Sequence, residues 1–408
     1  MAQINGSTKD RSNLIPFSSR LREGRALAQD VWSIFNAANL PHDCINLGQG
    51  YMNFAPPEWI QEAANEALGT VSASHYSHPR GRPRLREALK KYYEPMIGRT
   101  LNTEKEILVT SGANEGQYSV FVAFLEEGDE VIMFEPFFDQ YLPSVTFNGG
   151  KPVYVPLHPD TTSHKTTSND WVVDFEELRR AITSRTKMII VNTPHNPVGK
   201  VFTQTELEKI AALAEEFNLL IMSDEVYDTL TFDDKEHVRI ATLPGMWDRT
   251  VTVGSAGKMF NATGYRVGWL EAAAAGLEQI VERKFLEKQR REYSERRQVL
   301  IDCFDSLGLK YTRPEGSYFI LLDIGAITWP EDYPFPESVK GRGRDFLACW
   351  YIATEFGVSS IPVSEFYCEE HVSIGERYAR FAFCKDVETL RQAACRLQNL
   401  RSVIKTDA

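Results

Sequence analysis

The sequence predicts an α/β fold: a mostly parallel central sheet sandwiched by helices, plus a small α+β domain built from the N- and C-terminal segments. Three observations carry this. Between Ile107 and Asp224, short apolar or β-branched runs alternate with helical patterns, as strand–helix units do when they lay parallel strands side by side. After Leu309 the alternation gives way to short strands around separate helices. A chain of 408 residues also has room for about two or three domains. The expected division is 1–57 as a segment joining the small domain, 58–290 as the large domain and 291–408 as the small C-terminal domain.

In chain order, a helix is expected over Ala26–Asn39, then a turn bracketed by Gly48 and Gly50. Pro56-Pro57 opens a helix at Glu58–Leu68, where a missing N–H is harmless. Strands are expected at Ile107–Thr110, Val131–Phe134, Pro152–Leu157, Met188–Asn192 and Leu219–Met222. Helices from Ser111 to Leu125, near Asp139, at Phe175–Thr183 and at Thr203–Phe217 separate them, the last capped by Thr203 or Thr205. The polar stretch Pro159–Asn169 reads as a surface loop. A β-branched strand, Thr250–Val253, leads into small residues and Lys258, and the chain returns through Gly264 to a second apolar run ending at Gly268-Trp269-Leu270. A helical pattern then starts at Glu271 without turn residues and continues towards Leu307, roughly 55 Å at 1.5 Å per residue, with Gly276 its only interior breaker. Strands at Lys310–Thr312, Tyr318–Asp323, Val358–Ile361 and Tyr378–Phe383, and helices at Asp345–Phe356 and Val387–Leu400, complete the chain.

Composition narrows the function. A net charge of −11 argues against general nucleic-acid binding. No apolar run reaches the length of a membrane span. Six cysteines without a C-x-x-C pair fit reduced thiols rather than disulfides or a metal site. Met1–Pro16 lacks a secretory apolar region, so a cytoplasmic protein is expected; Asp10 and the scarcity of early arginines weaken a mitochondrial presequence without removing it.

The strand ends carry the chemistry. Small residues around Lys258 let a bulky group approach the backbone, and Ser255 and Arg266 lie nearby in sequence. Pyridoxal phosphate would need a lysine for its Schiff base, an acid to keep its pyridine nitrogen protonated and an anchor for its phosphate. Lys258 can be that lysine and, once displaced by substrate amine, the base that moves a proton. Asp224 can be the pyridinium partner, or an ordinary turn aspartate. Asn196 and Tyr227 can donate to the ring oxygen, though Asn196 lies in the turn-rich Thr193–Gly199 stretch. Backbone N–H groups of Gly112, Ala113 and Asn114 open a helix and can bind phosphate with Ser255 and Arg266, or form a plain strand–helix turn. Phe138 can stack on the ring or belong to the core. Arg380 interrupts an apolar strand: it is either solvated at a sheet edge or a fork for a substrate carboxylate.

These residues sit in an ordered set of motifs: N-L-G-Q-G (Asn46–Gly50), H-Y-S…G-R-P-x-L-R (His75–Arg86), S-G-A-N-E-G (Ser111–Gly116) and E-P-F-F-D-x-Y (Glu135–Tyr141). The set continues through N-T-P-H-N-P-x-G (Asn192–Gly199), S-D-E-V-Y (Ser223–Tyr227), G-S-A-G-K (Gly254–Lys258) and R-F-A-F-C-K-D (Arg380–Asp386). The chain resembles the class I pyridoxal-phosphate aminotransferases of fold type I, most closely the kynurenine aminotransferase and glutamine transaminase K (cysteine-conjugate β-lyase) branch. The resemblance implies a ping-pong transaminase that takes an amino group from kynurenine or a related large amino acid and gives it to a 2-oxo acid. It assigns Lys258 the Schiff base, Asp224 the pyridine nitrogen, and Asn196 and Tyr227 the ring oxygen. Phe138 would stack, Ala113, Ser255 and Arg266 would hold the phosphate, Arg380 would hold the α-carboxylate, and Gly50 would lie against the substrate backbone. Tyr76 would reach the neighbouring subunit's site, making the functional unit a homodimer.

Two departures from the family pattern stand out. Tyr51-Met-Asn-Phe54 replaces F-P-D-F on the substrate side. After Leu270 a couple of dozen residues that relatives use at their dimer interface have no counterpart, which predicts a shortened variant with weakened dimerisation. Three other readings compete: β-elimination from cysteine S-conjugates at the same site, a shortened isoform with little or no activity, and a non-catalytic sensor fused to a DNA-binding segment. The acidic charge and the absence of an N-terminal helix-turn-helix pattern argue against the sensor.

Overall fold

The computed structural model describes residues 30–36, 38–160, 166–265 and 270–405. The central sheet runs in the spatial order Trp171–Val173, Lys151–Pro159, Glu130–Glu135, Thr186–Asn192, Leu220–Asp224, Thr250–Val253. The last five pair in parallel, and Trp171–Val173 runs antiparallel at one edge. Every residue of Glu130–Glu135 is buried, as a strand covered on both faces requires. Successive side chains enter different cores. Ile132, Phe134, Ile189, Val191 and Ile221 share one with Leu178, Leu207 and Ile210 of the helices Phe175–Ala181 and Gln204–Glu216. Val131, Met133, Met188, Ile190 and Met222 share the other with Val120, Phe121 and Tyr141 of Ala113–Phe124 and Tyr141–Phe147. Helices therefore pack on both faces. Gln204–Glu216 begins with a reciprocal cap between Thr203 and Glu206.

The chain leaves Glu130–Glu135 for Lys151–Pro159 on one side, then crosses to Thr186–Asn192 on the other. Ligand crevices open at the carboxyl ends of strands where the order reverses in this way. Phe138, Asn196, Asp224 and Ser255 all lie at or just past those ends. A second sheet has the order Ile361–Pro362, Tyr378–Ala382, Phe319–Asp323, Tyr311–Arg313, Thr166–Thr167. A parallel two-residue ladder joins Ile45–Asn46 to Val358–Ser359, so the N-terminal segment meets the C-terminal one.

Four local expectations change. Within the described part of Ala26–Asn39 the helix is short, Val31–Ile34, because Asn36 and Asn39 turn their side-chain amides onto the carbonyls of Ser33 and Ile34. Ile107–Thr110 is not a strand: no described strand pairs with it, and the Val109 N–H goes instead to the Arg80 carbonyl at 3.1 Å. Within Pro159–Asn169, Thr166–Thr167 forms a strand against Tyr311–Arg313, and Ser168 is buried, donating to the Gly199 carbonyl.

The long helix is two helices, Leu270–Gln279 and Phe285–Ser306, divided at Lys284, whose φ is +48°. The bend turns Phe285 back onto Trp59 and Phe260. Gly276 does not break its helix. A Cβ there would lie 2.7 Å from the Phe260 ring and 2.8 Å from Ile60, so glycine is required for close packing against Glu58–Leu68. The junction at Gly268-Trp269 lies outside the described residues.

Candidate active site

Asp224 ends its strand 3% exposed, within hydrogen-bond reach of the helix Ala113–Phe124. Its carboxylate accepts hydrogen bonds from Gln117 Nε2 (2.8 Å), from the Tyr141 hydroxyl and from the Val226 N–H (3.3 Å). Burial lifts its carboxyl to about 6, while the Tyr141 and Val226 donors and the Lys258 charge pull it down. No ion pair holds it among the described residues. The segment that follows is fixed by a buried network: Glu225 accepts from His237 (2.8 Å) and Arg239, and Arg239 reaches Asp228 at 2.7 Å. Tyr227 is carried on this segment, 3% exposed, and burial raises its phenol above the usual range.

Lys258 sits in the short helix Ala256–Met259, whose first turn is capped by Ser255: the Lys258 N–H donates to Ser255 Oγ at 3.3 Å. Lys258 Nζ donates to the Tyr318 hydroxyl at 2.7 Å, and that hydroxyl donates to the Gly50 carbonyl at 2.8 Å. The ammonium lies 5.5 and 5.3 Å from the ring centroids of Tyr227 and Tyr318, which stand edge to face 5.0 Å apart. A Cβ on Gly50 would come within 2.8 Å of both Tyr318 and Phe319, so the closeness of this turn depends on glycine.

Arg380 is not at a sheet edge. Its strand lies between Ile361–Pro362 and Phe319–Asp323, and the side chain is 2% exposed. Nη1 donates to Asn196 Oδ1 (3.2 Å), Nη2 to the Gly48 carbonyl (2.8 Å), and Nε is buried with no partner. The guanidinium packs on the rings of Phe319, Phe366 and Trp32. Burial pulls its pKa down to about 10, opposed by the charge of Asp139. A backbone and side-chain path ties this end to the other: Asn196 N–H donates to Asn192 Oδ1 at 2.8 Å, and Asn192 Nδ2 donates to the Asp224 carbonyl at 3.0 Å.

Phe138, half-buried, stands edge to face with Tyr141 at 5.5 Å, beside the Asp224 carboxylate. Gly112 takes φ +83° and opens the twelve-residue helix Ala113–Phe124, which has no side-chain cap; Asn114 is exposed in its first turn. Arg266 lies outside the described residues. Tyr76 is fully exposed, 106%, and makes no contact with these groups in its own chain. Its loop is clamped by Arg82, which donates to the carbonyls of Ser72, Ala73 and His75. Three residues with contacts at the site escaped the sequence reading. Tyr318 and Gln117 lie in an ordinary strand entry and a helix interior, where nothing in the spacing marks them. Tyr141 closes the E-P-F-F-D-x-Y motif and was legible only as part of it. One further group of ligand-type atoms among the described residues, Glu135 with Cys368 and His371, is tied by hydrogen bonds from the Cys368 N–H and the His371 ring to the buried carboxylate.

Two opposite charges, Asp224 and Arg380, are therefore buried without an ion partner among the described residues, with an amine and two phenols close by. A buried charge is costly unless paired. The arrangement suits a ligand that offers a cationic group to Asp224 and a carboxylate to Arg380.

Comparison with known proteins identifies the class. The family description "Aminotransferase class I and II" matches residues 42–281. The kynurenine–oxoglutarate transaminase of Dictyostelium discoideum is 37% identical, over 93% of this chain and 96% of that protein. Human kynurenine–oxoglutarate transaminase 1 is 36% identical, over 88% and 93%. The crystal structure of Bna3p from Saccharomyces cerevisiae superposes with a TM-score of 0.91 at 40% identity, covering 96% of this chain and all of that one. The chain belongs to the class I and II aminotransferases, and its fold is the fold type I architecture of that family. The Dictyostelium alignment spans 417 positions, more than the 408 residues of this chain although 93% of them take part. That relative thus carries residues inside the matched range that this chain lacks.

The Asp224 electrostatics give a measurable pH dependence. The carboxyl titrates at about 6 when folded against 3.8 otherwise, so its contribution to stability is fully present below 3.8 and is lost as pH rises through 6. The stability of the cofactor-free wild type minus that of Asp224→Asn should fall by up to about 3 kcal/mol between those limits in urea titrations. A difference that stays flat contradicts the assignment.

Proposed function

We propose that this chain is a pyridoxal-phosphate-dependent kynurenine aminotransferase, moving the amino group of kynurenine or a related large amino acid to a 2-oxo acid. The observation that carries the reading is the pair of buried charges without ion partners among the described residues, Asp224 and Arg380, linked through Asn192 and Asn196. The names of the relatives support kynurenine as donor and oxoglutarate as acceptor.

The residues fit the cofactor. Asp224 would meet its ring nitrogen, Asn196 and Tyr227 its ring oxygen, and Phe138 its face. Gly112, Ala113, Asn114, Ser255 and Arg266 would hold its phosphate, and Lys258 would bind its aldehyde. When bound, the cofactor supplies an electron sink that stabilises a carbanion at the substrate Cα. The chain supplies the rest. Arg380, with Nε unpartnered and only one N–H of each Nη bonded to Asn196 or Gly48, can receive the substrate carboxylate and orient Cα. Lys258, as free amine, takes the proton from Cα and returns it on the other side of the transfer; its contact with Tyr318 holds Nζ in place between those events. Asp224, kept deprotonated above its raised pKa, holds positive charge in the ring and so favours electron withdrawal from Cα.

Adding kynurenine to the purified protein, with no acceptor, should convert the visible absorbance of lysine-bound cofactor to that of the amine form. The acceptor should restore it, and Lys258→Ala should show neither change. A wild type without the shift, or a Lys258→Ala protein that shifts equally, contradicts the reading.

We further infer a homodimer in which Tyr76 enters the partner's site. Leu68, Val71, Leu108, Val122 and Val281 are apolar and more than half exposed, so a partner subunit has apolar side chains to cover. The residues missing relative to the Dictyostelium protein weaken that pairing. Sedimentation should therefore find a concentration-dependent mixture of monomer and dimer. A dimer that persists on dilution with full cofactor content overturns the weakening, and a monomer at every concentration overturns the dimer.

A further inference from the structure

Lys385 follows the strand that carries Arg380 and is 2% exposed. No carboxylate pairs with it among the described residues. Its ammonium instead donates to two backbone carbonyls, Tyr51 at 2.6 Å and Gln49 at 3.3 Å, and lies 3.4 Å from the centroid of the Tyr51 ring. Cys384 adds a weak thiol hydrogen bond to the same Tyr51 carbonyl at 3.4 Å. Burial depresses the Lys385 pKa, with the neighbouring Cys384 opposing it. A charge this enclosed is costly unless its surroundings compensate. Here the compensation consists of carbonyl dipoles and one aromatic face.

Those two carbonyls bracket Gly50. The Gly50 carbonyl is the acceptor for the Tyr318 hydroxyl, and Tyr318 is the acceptor for Lys258 Nζ. Gly50 has no side chain to hold its peptide in place, and the turn it occupies is bounded by the Tyr318 and Phe319 rings. With the carbonyls on both sides fixed by one ammonium, the middle carbonyl keeps its direction as an acceptor for the Tyr318 hydroxyl. The Tyr318 oxygen then presents a lone pair to the lysine. The chain of contacts runs from a buried amine outside the reaction to the amine that moves the proton.

We propose that Lys385 is a positioning residue for Lys258, acting through the Gln49–Tyr51 backbone and the Tyr318 hydroxyl. The proposal rests on the reading of Lys258 as the proton-moving amine. A merely structural lysine would lower stability without coupling to Tyr318, and that difference is measurable.

The test is a double-mutant cycle on the holoenzyme with Lys385→Met, Tyr318→Phe and the pair. Lys385→Met should lower kcat about tenfold, the scale of one misplaced hydrogen bond, with the donor KM within about twofold. Because the two residues act through one contact, the double variant should be no slower than the slower single one. Losses that multiply, or a change confined to KM, overturn the proposal. A crystal structure of Lys385→Met, or of Lys385→Gln where the methionine variant does not fold, gives a readout without turnover. The Gly50 carbonyl should sit beyond hydrogen-bond reach of the Tyr318 hydroxyl, and an unchanged contact overturns the proposal. A wild type that turns over no donor would overturn the functional reading alone, since the crystal distance is read independently of it.

Discussion

A carboxylate buried at the end of a parallel strand sets the terms for this molecule. Asp224 has given up its water for two side-chain donors and one backbone N–H, which satisfy lone pairs but do not neutralise charge. Burial displaces its carboxyl upward to about 6, on the order of 3 kcal/mol of unfavourable environment for the charged form. A carboxylate in this setting is suited to holding a cation. The second buried charge, Arg380, is the counterpart for an anion, and the two are linked through Asn196 and Asn192. The site is thus charged in advance for a ligand that carries both signs.

The sheet makes that arrangement possible. Its parallel strands are covered on both faces, so their carboxyl ends are where polar side chains can gather without breaking a core. Asp224 comes from one such end, Asn196 and Phe138 from loops after two others, and Lys258 from the short helix after a fourth. The second sheet contributes Arg380 and Tyr318 from neighbouring strands, and the N-terminal turn contributes Gly48 and Gly50 as acceptors. Each half of the molecule supplies what the other lacks: the large sheet holds the groups that would surround the cofactor, and the smaller one holds the groups suited to the substrate.

Much of this was legible in the sequence because it depends on local pattern. The strand–helix alternation and a helix cap at Thr203 or Thr205 are visible in the pattern, Lys258 and Asp224 stand out as residue types at or just past strand ends, and Arg380 stands out as a charge inside an apolar strand. What was not legible depends on distant partners. Ile107–Thr110 has strand composition, yet a strand exists only where a neighbour accepts its backbone groups. Gly276 looked like a helix breaker because propensity is local, whereas its reason is the Phe260 ring across a helix interface. Arg380 was ambiguous between a wet edge and a dry interior until its strand had neighbours on both sides. Tyr318 and Gln117 could not be singled out, since a tyrosine entering a strand and a glutamine within a helix are ordinary until the fold points them at a lysine and an aspartate. Lys385 shows the same limit: the R-F-A-F-C-K-D motif marks it, and only the structure gives it the carbonyls around Gly50.

The central claim is that the Asp224 charge does chemical work rather than structural work. The most direct measurement is the single-turnover rate of the donor half-reaction in Asp224→Asn after saturation with pyridoxal phosphate. The account predicts a variant that takes up the cofactor and yet transfers the amino group about a hundredfold more slowly than wild type, the scale of one charge-assisted hydrogen bond. A rate within about twofold of wild type would contradict it.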